Sequence, residues 1–194
     1  MAAGMGPWWA LLLFLPQVLQ GQNSTPPGSP GLKSFHSDQF QGEWFVLGLA
    51  GNAFKREDRE LLNPFITNFE QKSNNQLEVF NSMTRGKRCD TWSYVLIPTA
   101  QPGKFIVDNQ GENDMADSED VQVMDTDYTN FALVLSLRHT SSRTISRVSL
   151  LGRSWRLPFG TLDKFFCLAQ NQGLTKNNLM FPDETGWSPH LDGC

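Results

Sequence analysis

Residues 65–97 read FITNFEQKSNNQLEVFNSMTRGKRCDTWSYVLI. The stretch contains three apolar runs, at 65–70, 77–80 and 89–97, and apolar and polar side chains alternate in the first of them. Alternation with a period of two is typical of β-strands, because successive side chains of a strand point to opposite faces. The polar segments between the runs, with NN in one and TRGK in the other, predict turns. The stretch therefore predicts three antiparallel strands joined by short connections.

Further runs of this kind lie on both sides of the stretch. One precedes it and four follow it, at 43–49, 104–107, 121–124, 131–137 and 144–151. Eight short runs at even spacing predict an all-β fold, an eight-stranded antiparallel up-and-down sheet that closes into a barrel. Closure removes the two exposed edges that such a sheet would otherwise leave. Since a barrel of about eight strands has room for one small ligand, the strand count also predicts a ligand-binding cavity.

One segment after the strands has the periodicity of a helix. Its apolar side chains recur every three or four residues, at Leu162, Phe165, Phe166 and Ala169. Pro158 suits the first turn of this helix, and Gly173 suits its end. We expect the helix to pack outside the barrel, because the run at 131–137 is apolar on both faces and so needs a partner on each. A short strand is expected at 178–181.

The first 21 residues contain no charged side chain. Their apolar centre, WWALLLFL at 8–15, is shorter than the about 20 residues that a membrane-spanning helix needs, and it is typical of a secretory signal peptide. We therefore expect a signal peptide at 1–21, a flexible leader at 22–38 and a barrel domain at 39–194. No later run is long enough to span a membrane, so the protein is expected to be secreted and extracellular. In such a protein Asn23, which opens an Asn-Ser-Thr triplet, is a predicted glycosylation site.

The composition argues against several classes of protein. Sixteen basic and twenty acidic residues give a net charge of −4, whereas a nucleic-acid-binding protein needs a basic patch. Fourteen Phe and six Trp argue against disorder, because so much apolar surface would be left in water. Three cysteines are too few for a disulfide-packed miniprotein, and their odd number predicts one disulfide and one free thiol.

Residues suited to catalysis or metal binding do not form a recognisable pattern. The three histidines are too scattered for a metal site, and no nucleophile-elbow motif is present. An acidic cluster does not match a calcium-binding loop and is interpreted as a solvated loop at the barrel mouth; it comprises Asp114, Asp117, Glu119 and Asp120. We expect no enzymatic activity, no cofactor and no metal ion.

Three motifs lie at the ends of predicted strands. Gly42-Glu43-Trp44 opens the first strand, Thr126-Asp127-Tyr128 ends the sixth and Gly152-Arg153 ends the eighth. In this order and at this spacing they resemble the three signature regions of the lipocalins. Within that family the chain resembles the secreted epididymal lipocalins, the lipocalin-type prostaglandin D synthases and the neutrophil gelatinase-associated lipocalins. The resemblance implies that Trp44 plugs the closed end of the barrel and that Arg153 covers it through a cation–π contact.

The resemblance also bears on the cysteines. It implies a disulfide between Cys89 and Cys194, and Cys167 in the helix is then expected to be a buried free thiol. The prostaglandin D synthases use a thiol early in the second strand. The corresponding position here is Phe65 or Ile66, depending on the motif from which it is counted, so the resemblance does not extend to that activity.

Alternation along the fourth to eighth strands, combined with the resemblance, predicts the inward side chains. The candidate ligand-binding residues are Trp92, Tyr94, Phe105, Val107, Val121, Val123, Val134, Arg138 and Arg147. Two arginines above an aromatic floor favour an apolar molecule that ends in a carboxylate, because a guanidinium binds a carboxylate through two parallel hydrogen bonds. The alternative is that both arginines extend out of the barrel mouth into solvent.

The resemblance implies transport of a small hydrophobic ligand outside the cell, with a retinoid such as retinoic acid, or a fatty acid, as the favoured class. One alternative is a protein-interaction module whose barrel is filled by its own side chains. Another is capture of a siderophore. For siderophores the resemblance implies three cationic positions, of which two correspond to Arg138 and Arg147, whereas the third is the uncharged Tyr94.

Overall fold

The computed structural model describes residues 31–54, 65–85, 88–108 and 117–182. It contains the strands β1 (Gly42–Gly51), β2 (Phe65–Gln71), β3 (Leu77–Arg85), β4 (Arg88–Pro98), β5 (Lys104–Val107), β6 (Ser118–Thr126), β7 (Phe131–His139), β8 (Thr144–Gly152) and β9 (Leu179–Met180). Its helices are the one-turn α1 (Ser37–Phe40) and α2 (Thr161–Asn171), and a 3₁₀ turn spans Lys176–Asn178. The signal peptide and Asn23 are predictions that lie outside the described residues.

The strands form an antiparallel barrel. Consecutive strands pair from β2 to β8, and β1 closes the ring by pairing with both β8 and β2. The short β9 pairs with the C-terminal end of β1, through Leu49 with Met180 and Ala50 with Leu179. The predicted closed eight-stranded barrel with one C-terminal helix is therefore confirmed, and β9 is an addition to the ring.

Two apolar cores lie on opposite sides of the sheet. The inner core fills the end of the barrel around Trp44 and Phe69, and the outer core lies between the sheet and Phe165 and Leu168 of α2. Strand β7 belongs to both cores, since all six residues from Phe131 to Ser136 are buried. An apolar run with both faces covered is what the sequence predicted for this strand, and α2 supplies the outer cover.

The chain ahead of β1 covers the closed end of the barrel. Leu32 and Phe35, from the segment predicted as a flexible leader, pack against the inner core. The Phe35 ring meets that of Phe105 edge-on at 5.6 Å between centroids. The Trp44 side chain is fully buried, and its Nε1 donates a hydrogen bond of 2.9 Å to the Phe40 carbonyl at the end of α1.

The second signature segment forms the turn between β6 and β7. The Asp127 carboxylate accepts hydrogen bonds from the backbone N–H groups of Asn130, at 2.7 Å, and Phe131, at 3.0 Å. The Thr126 hydroxyl donates to the Phe131 carbonyl and accepts from the Tyr128 N–H. These bonds hold Tyr128 at a φ of 66°, a left-handed conformation that a side chain other than glycine rarely adopts.

One expectation about the cysteines is wrong. Cys167 is free, as expected, but it is exposed rather than buried. The buried face of α2 is formed by Phe165, Leu168 and Ala169, so Cys167 lies on the side of the helix that faces away from the sheet. The partner predicted for Cys89 is Cys194, which lies outside the described residues, so that disulfide stays a prediction.

Candidate ligand-binding cavity

A cavity of about 820 Å³ occupies the barrel above the inner core. Its size is within the usual range for sites of small molecules, roughly 300–1,000 Å³. Every strand from β1 to β8 contributes to its wall. The alternative of a barrel filled by its own side chains does not fit a cavity of this size.

Seven of the nine candidate residues line this cavity: Trp92, Tyr94, Val107, Val121, Val134, Arg138 and Arg147. Phe105 and Val123 do not, and the expectation for these two is corrected. Both point inward, but they lie lower in the barrel, where they are 2% and 3% exposed within the inner core. Strands of a barrel are tilted and staggered, so residues on the inward face of one strand do not all reach the same depth.

Strands β1 to β3 supply lining residues that the sequence reasoning missed. They are Val46, Leu49, Phe65, Thr67, Phe69, Asn81 and Met83, and Phe54 after β1 adds another aromatic ring. The same alternation that identified the inward faces of later strands was present here, for example at Phe65, Thr67 and Phe69. The cavity thus has an apolar floor, and Phe65 and Trp92 lie 5.6 Å apart between ring centroids on its wall.

Both arginines line the cavity, and each is paired with an acidic residue. Arg138 donates to one carboxylate oxygen of Asp117 from Nη2, at 3.0 Å, and from Nε, at 3.3 Å. Arg147 Nη2 lies 3.5 Å from Glu119 Oε1. The arginine side chains are 46% and 42% exposed, so they lie in the cavity with part of their surface open to water.

The interpretation of the acidic cluster as a solvated loop is therefore wrong for Asp117 and Glu119. Both line the cavity: β6 begins at Ser118 and not at the predicted residue 121, so Glu119 lies in the strand and Asp117 directly precedes it. Alternation along the longer strand turns Glu119 inward and Asp120 outward, where Asp120 pairs with Lys104 at 3.1 Å. Asp114 lies outside the described residues.

Glu119 connects three neighbouring strands. Its Oε1 accepts a hydrogen bond from the Ser136 hydroxyl on β7 and meets the guanidinium of Arg147 on β8. In the register of the sheet Ser136 is the direct partner of Arg147, so the three side chains form one polar group on the wall. We call Glu119, Ser136 and Arg147 the polar triad.

Tyr94 and Asn81 face the polar triad from β4 and β3. Burial raises the pKa of Tyr94, the charge of Arg147 opposes that shift, and the charge of Glu119 adds to it. Tyr94 is therefore a neutral hydroxyl at pH 7 that lies within electrostatic reach of the triad. Asn81 is 5% exposed, and a hydrogen bond from its side chain opposes the rise in the pKa of Tyr94. Both side chains add polar groups to the cavity wall.

Within the described part of the chain, no group of three His, Cys, Asp or Glu side chains could hold a metal ion. His36 lies beside Tyr128 at the closed end, and His139 contacts Thr144 at the mouth, with 3.2 Å between Nδ1 and Oγ1. The third histidine, His190, lies outside the described residues.

Comparison with known proteins agrees with this geometry. A family model described as the lipocalin / cytosolic fatty-acid binding protein family matches residues 41–186. Mouse epididymal-specific lipocalin-12 is 60% identical over 193 residues, which cover 98% of this chain and all of the mouse protein. Rat neutrophil gelatinase-associated lipocalin is 34% identical over 180 residues, covering 89% of this chain and 91% of the rat protein. The solution NMR structure of lipocalin 12 from rat epididymis matches with a TM-score of 0.80 and 56% identity, covering 87% of this chain and 97% of that one.

Proposed function

This chain belongs to the lipocalin family, and we propose that it binds one small hydrophobic ligand in the barrel cavity and carries it outside the cell. The observation that carries the proposal is the cavity itself, about 820 Å³, with an apolar floor and a few polar side chains near the mouth. Sites for small molecules commonly combine an apolar lining with few polar groups, because apolar burial supplies affinity and the polar groups orient the ligand.

The proposed location outside the cell rests on the sequence. The apolar segment at 8–15 has the length of the hydrophobic region of a signal peptide, and the similar mouse protein is named as epididymal-specific. Among the described residues, no helix is long and apolar enough to cross a membrane. Asn23 is the proposed glycosylation site, and Cys89 with Cys194 is the proposed disulfide.

The proposed ligand is a retinoid such as retinoic acid, or a fatty acid. Val46, Phe69, Val121 and Val134 offer the apolar surface that a polyene or alkyl chain requires. Arg147 is the proposed contact for a carboxylate. It uses one Nη2 atom toward Glu119 at 3.5 Å, and a guanidinium carries five N–H donors in total. Because the side chain is 42% exposed, further donors are accessible from the cavity.

Siderophore capture is less well supported than transport of a hydrophobic molecule. Each cavity arginine has an acidic neighbour, Asp117 for Arg138 and Glu119 for Arg147. Tyr94 adds no positive charge. A ferric catecholate carries several negative charges, so two arginines that are each paired with a carboxylate offer it little electrostatic attraction.

We propose binding and not catalysis. The position that corresponds to the thiol of the prostaglandin D synthases is Phe65 or Ile66, and the first cysteine of the chain is Cys89. Phe65 lines the cavity as an aromatic wall, which suits a hydrophobic ligand and supplies no nucleophile.

Titration with all-trans retinoic acid, followed by quenching of tryptophan fluorescence, tests this proposal. We expect saturable one-to-one quenching with a dissociation constant of micromolar or lower. Trp92→Phe should lose much of the quenching, because Trp92 lines the cavity. Trp155→Phe is the matched control, since Trp155 stacks on Phe45 outside the barrel at 5.3 Å between ring centroids. Palmitic acid should displace the retinoid. Absence of saturable binding for both acids would overturn the proposal.

A further inference from the structure

We propose that, when no ligand is bound, the carboxylate of Glu119 occupies the place beside Arg147 that a ligand carboxylate would take. Glu119 thereby controls whether the barrel prefers acids or neutral molecules. The inference rests on the proposed function, because it concerns the selectivity of the same cavity. Glu119 is thus a specificity-determining residue, and a ligand carboxylate must share or replace its contact with Arg147.

Glu119 makes the contacts on the cavity wall that a ligand carboxylate would otherwise make. Its Oε1 already holds the two groups on this wall that suit a carboxylate head group: the Ser136 hydroxyl and Arg147 Nη2. A ligand acid that reaches Arg147 therefore meets a second carboxylate beside it. Two negative charges at such short range repel one another, and partial exclusion of water strengthens the repulsion.

Arg147 attracts a ligand carboxylate and Glu119 repels it, and the other charges at the cavity add no net positive charge to this balance. Among the residues that the structure describes, the charged lining side chains are the positive Arg138 and Arg147 and the negative Asp108, Asp117 and Glu119. Arg138 is engaged by Asp117 through two nitrogen atoms. The charged side chains of the lining therefore give an acid no net attraction. We expect the wild-type barrel to bind an acid and the corresponding alcohol with similar affinity, because the apolar floor contributes equally to both.

The test compares retinoic acid with retinol, which share the apolar skeleton and differ in the head group. Glu119→Gln removes the negative charge and keeps a side chain that can hydrogen-bond Ser136. We expect the affinity for retinoic acid to rise about tenfold, which corresponds to about 1.4 kcal/mol, while the affinity for retinol changes less than twofold. Asp120→Asn is the matched control, because it removes a charge one residue away that lies outside the barrel and pairs with Lys104.

Two further variants separate the charge effect from a general change of the cavity. Adding Arg147→Ala to Glu119→Gln should abolish the gain for retinoic acid, because the gain depends on the guanidinium that Glu119 released. Ser136→Ala keeps every charge but removes the hydroxyl that positions Glu119, and it should raise the affinity for the acid by a smaller factor. Circular dichroism spectra would verify the fold of each variant.

The inference is overturned if Glu119→Gln leaves the ratio of the two affinities within twofold of wild type, or if both ligands gain equally. It is also overturned if Asp120→Asn changes the ratio as much as Glu119→Gln. In these cases binding itself persists and the proposed function stands. If neither ligand binds to wild type or to any variant, the proposed function fails, and this inference fails with it.

Discussion

The guanidinium carbon of Arg153 lies 3.7 Å from the centre of the Trp44 ring. The same guanidinium donates hydrogen bonds to the backbone carbonyls of Gln41 and Glu43, both at 2.7 Å, and to the carbonyl of Tyr128 at 3.3 Å. One side chain thus joins the chain before β1 to the turn between β6 and β7. This closed end stabilises the barrel, whereas the cavity at the other end is available for a ligand.

Arg153→Lys should destabilise the protein although the charge is kept. A lysine ammonium cannot lie flat on the indole and bond several carbonyls together, because it lacks the planar fork of the guanidinium. We expect the free energy of unfolding to fall by about 2 kcal/mol, measured by urea denaturation. Arg156→Lys is the control, since Arg156 is exposed. Equal stability of Arg153→Lys and wild type would show that the stacked geometry contributes nothing.

Asp127→Asn should lower stability in a pH-dependent way. Burial alone would raise the pKa of Asp127, but hydrogen bonds from Phe131, Asn130 and Thr129 outweigh that effect and hold the pKa below its ordinary value. A lowered pKa means that the charged carboxylate stabilises the folded state above the ordinary pKa and that this contribution is lost as pH falls through the lowered one. Because Asp127 is largely exposed, we expect a loss of only about 1 kcal/mol at pH 7.

Denaturation curves of the Asp127→Asn variant and wild type at pH 7 and at about pH 2 test the sign of this effect. The two proteins should differ at pH 7 and converge in acid. A difference that is constant over this range would contradict the assignment to the charge of Asp127.

Cys167 should react with iodoacetamide in the native protein without denaturant, because it is free and exposed. After digestion without reduction, we expect the peptide containing Cys89 to be linked to the peptide containing Cys194. A peptide that links Cys89 to Cys167 would contradict both the predicted disulfide and the free thiol.

The comparison between sequence and structure shows what alternation can and cannot predict. It grouped the side chains of β4 to β8 by face, because residues such as Trp92, Tyr94 and Val134 belong to clearly strand-like runs, and the lipocalin resemblance indicated which face is inward. It failed at the start of β6, where Asp117 and Glu119 lie in a charged segment that hydropathy assigns to a loop. Their partners Arg138 and Arg147 are on other strands, so only the register of the sheet brings the charges together.

Depth within the barrel was also inaccessible to the sequence. Phe105 follows the same alternation as Val107, but strand stagger puts it in the inner core beside Phe35. The exposure of Cys167 was predictable from helical spacing, because a residue two positions after Phe165 lies about 200° around the helix from it. The signature residues were easier to predict, because Trp44 and Arg153 belong to motifs whose contacts are local to the closed end.

Native mass spectrometry of wild type and Val134→Trp in the presence of retinoic acid tests most directly whether the barrel binds one hydrophobic ligand. Val134 lies on the cavity wall, so a tryptophan there should fill the space that the ligand needs. We predict one bound retinoic acid for wild type and none for Val134→Trp, with circular dichroism confirming that the variant is folded. Equal binding by the two proteins, or no binding by either, would contradict the account.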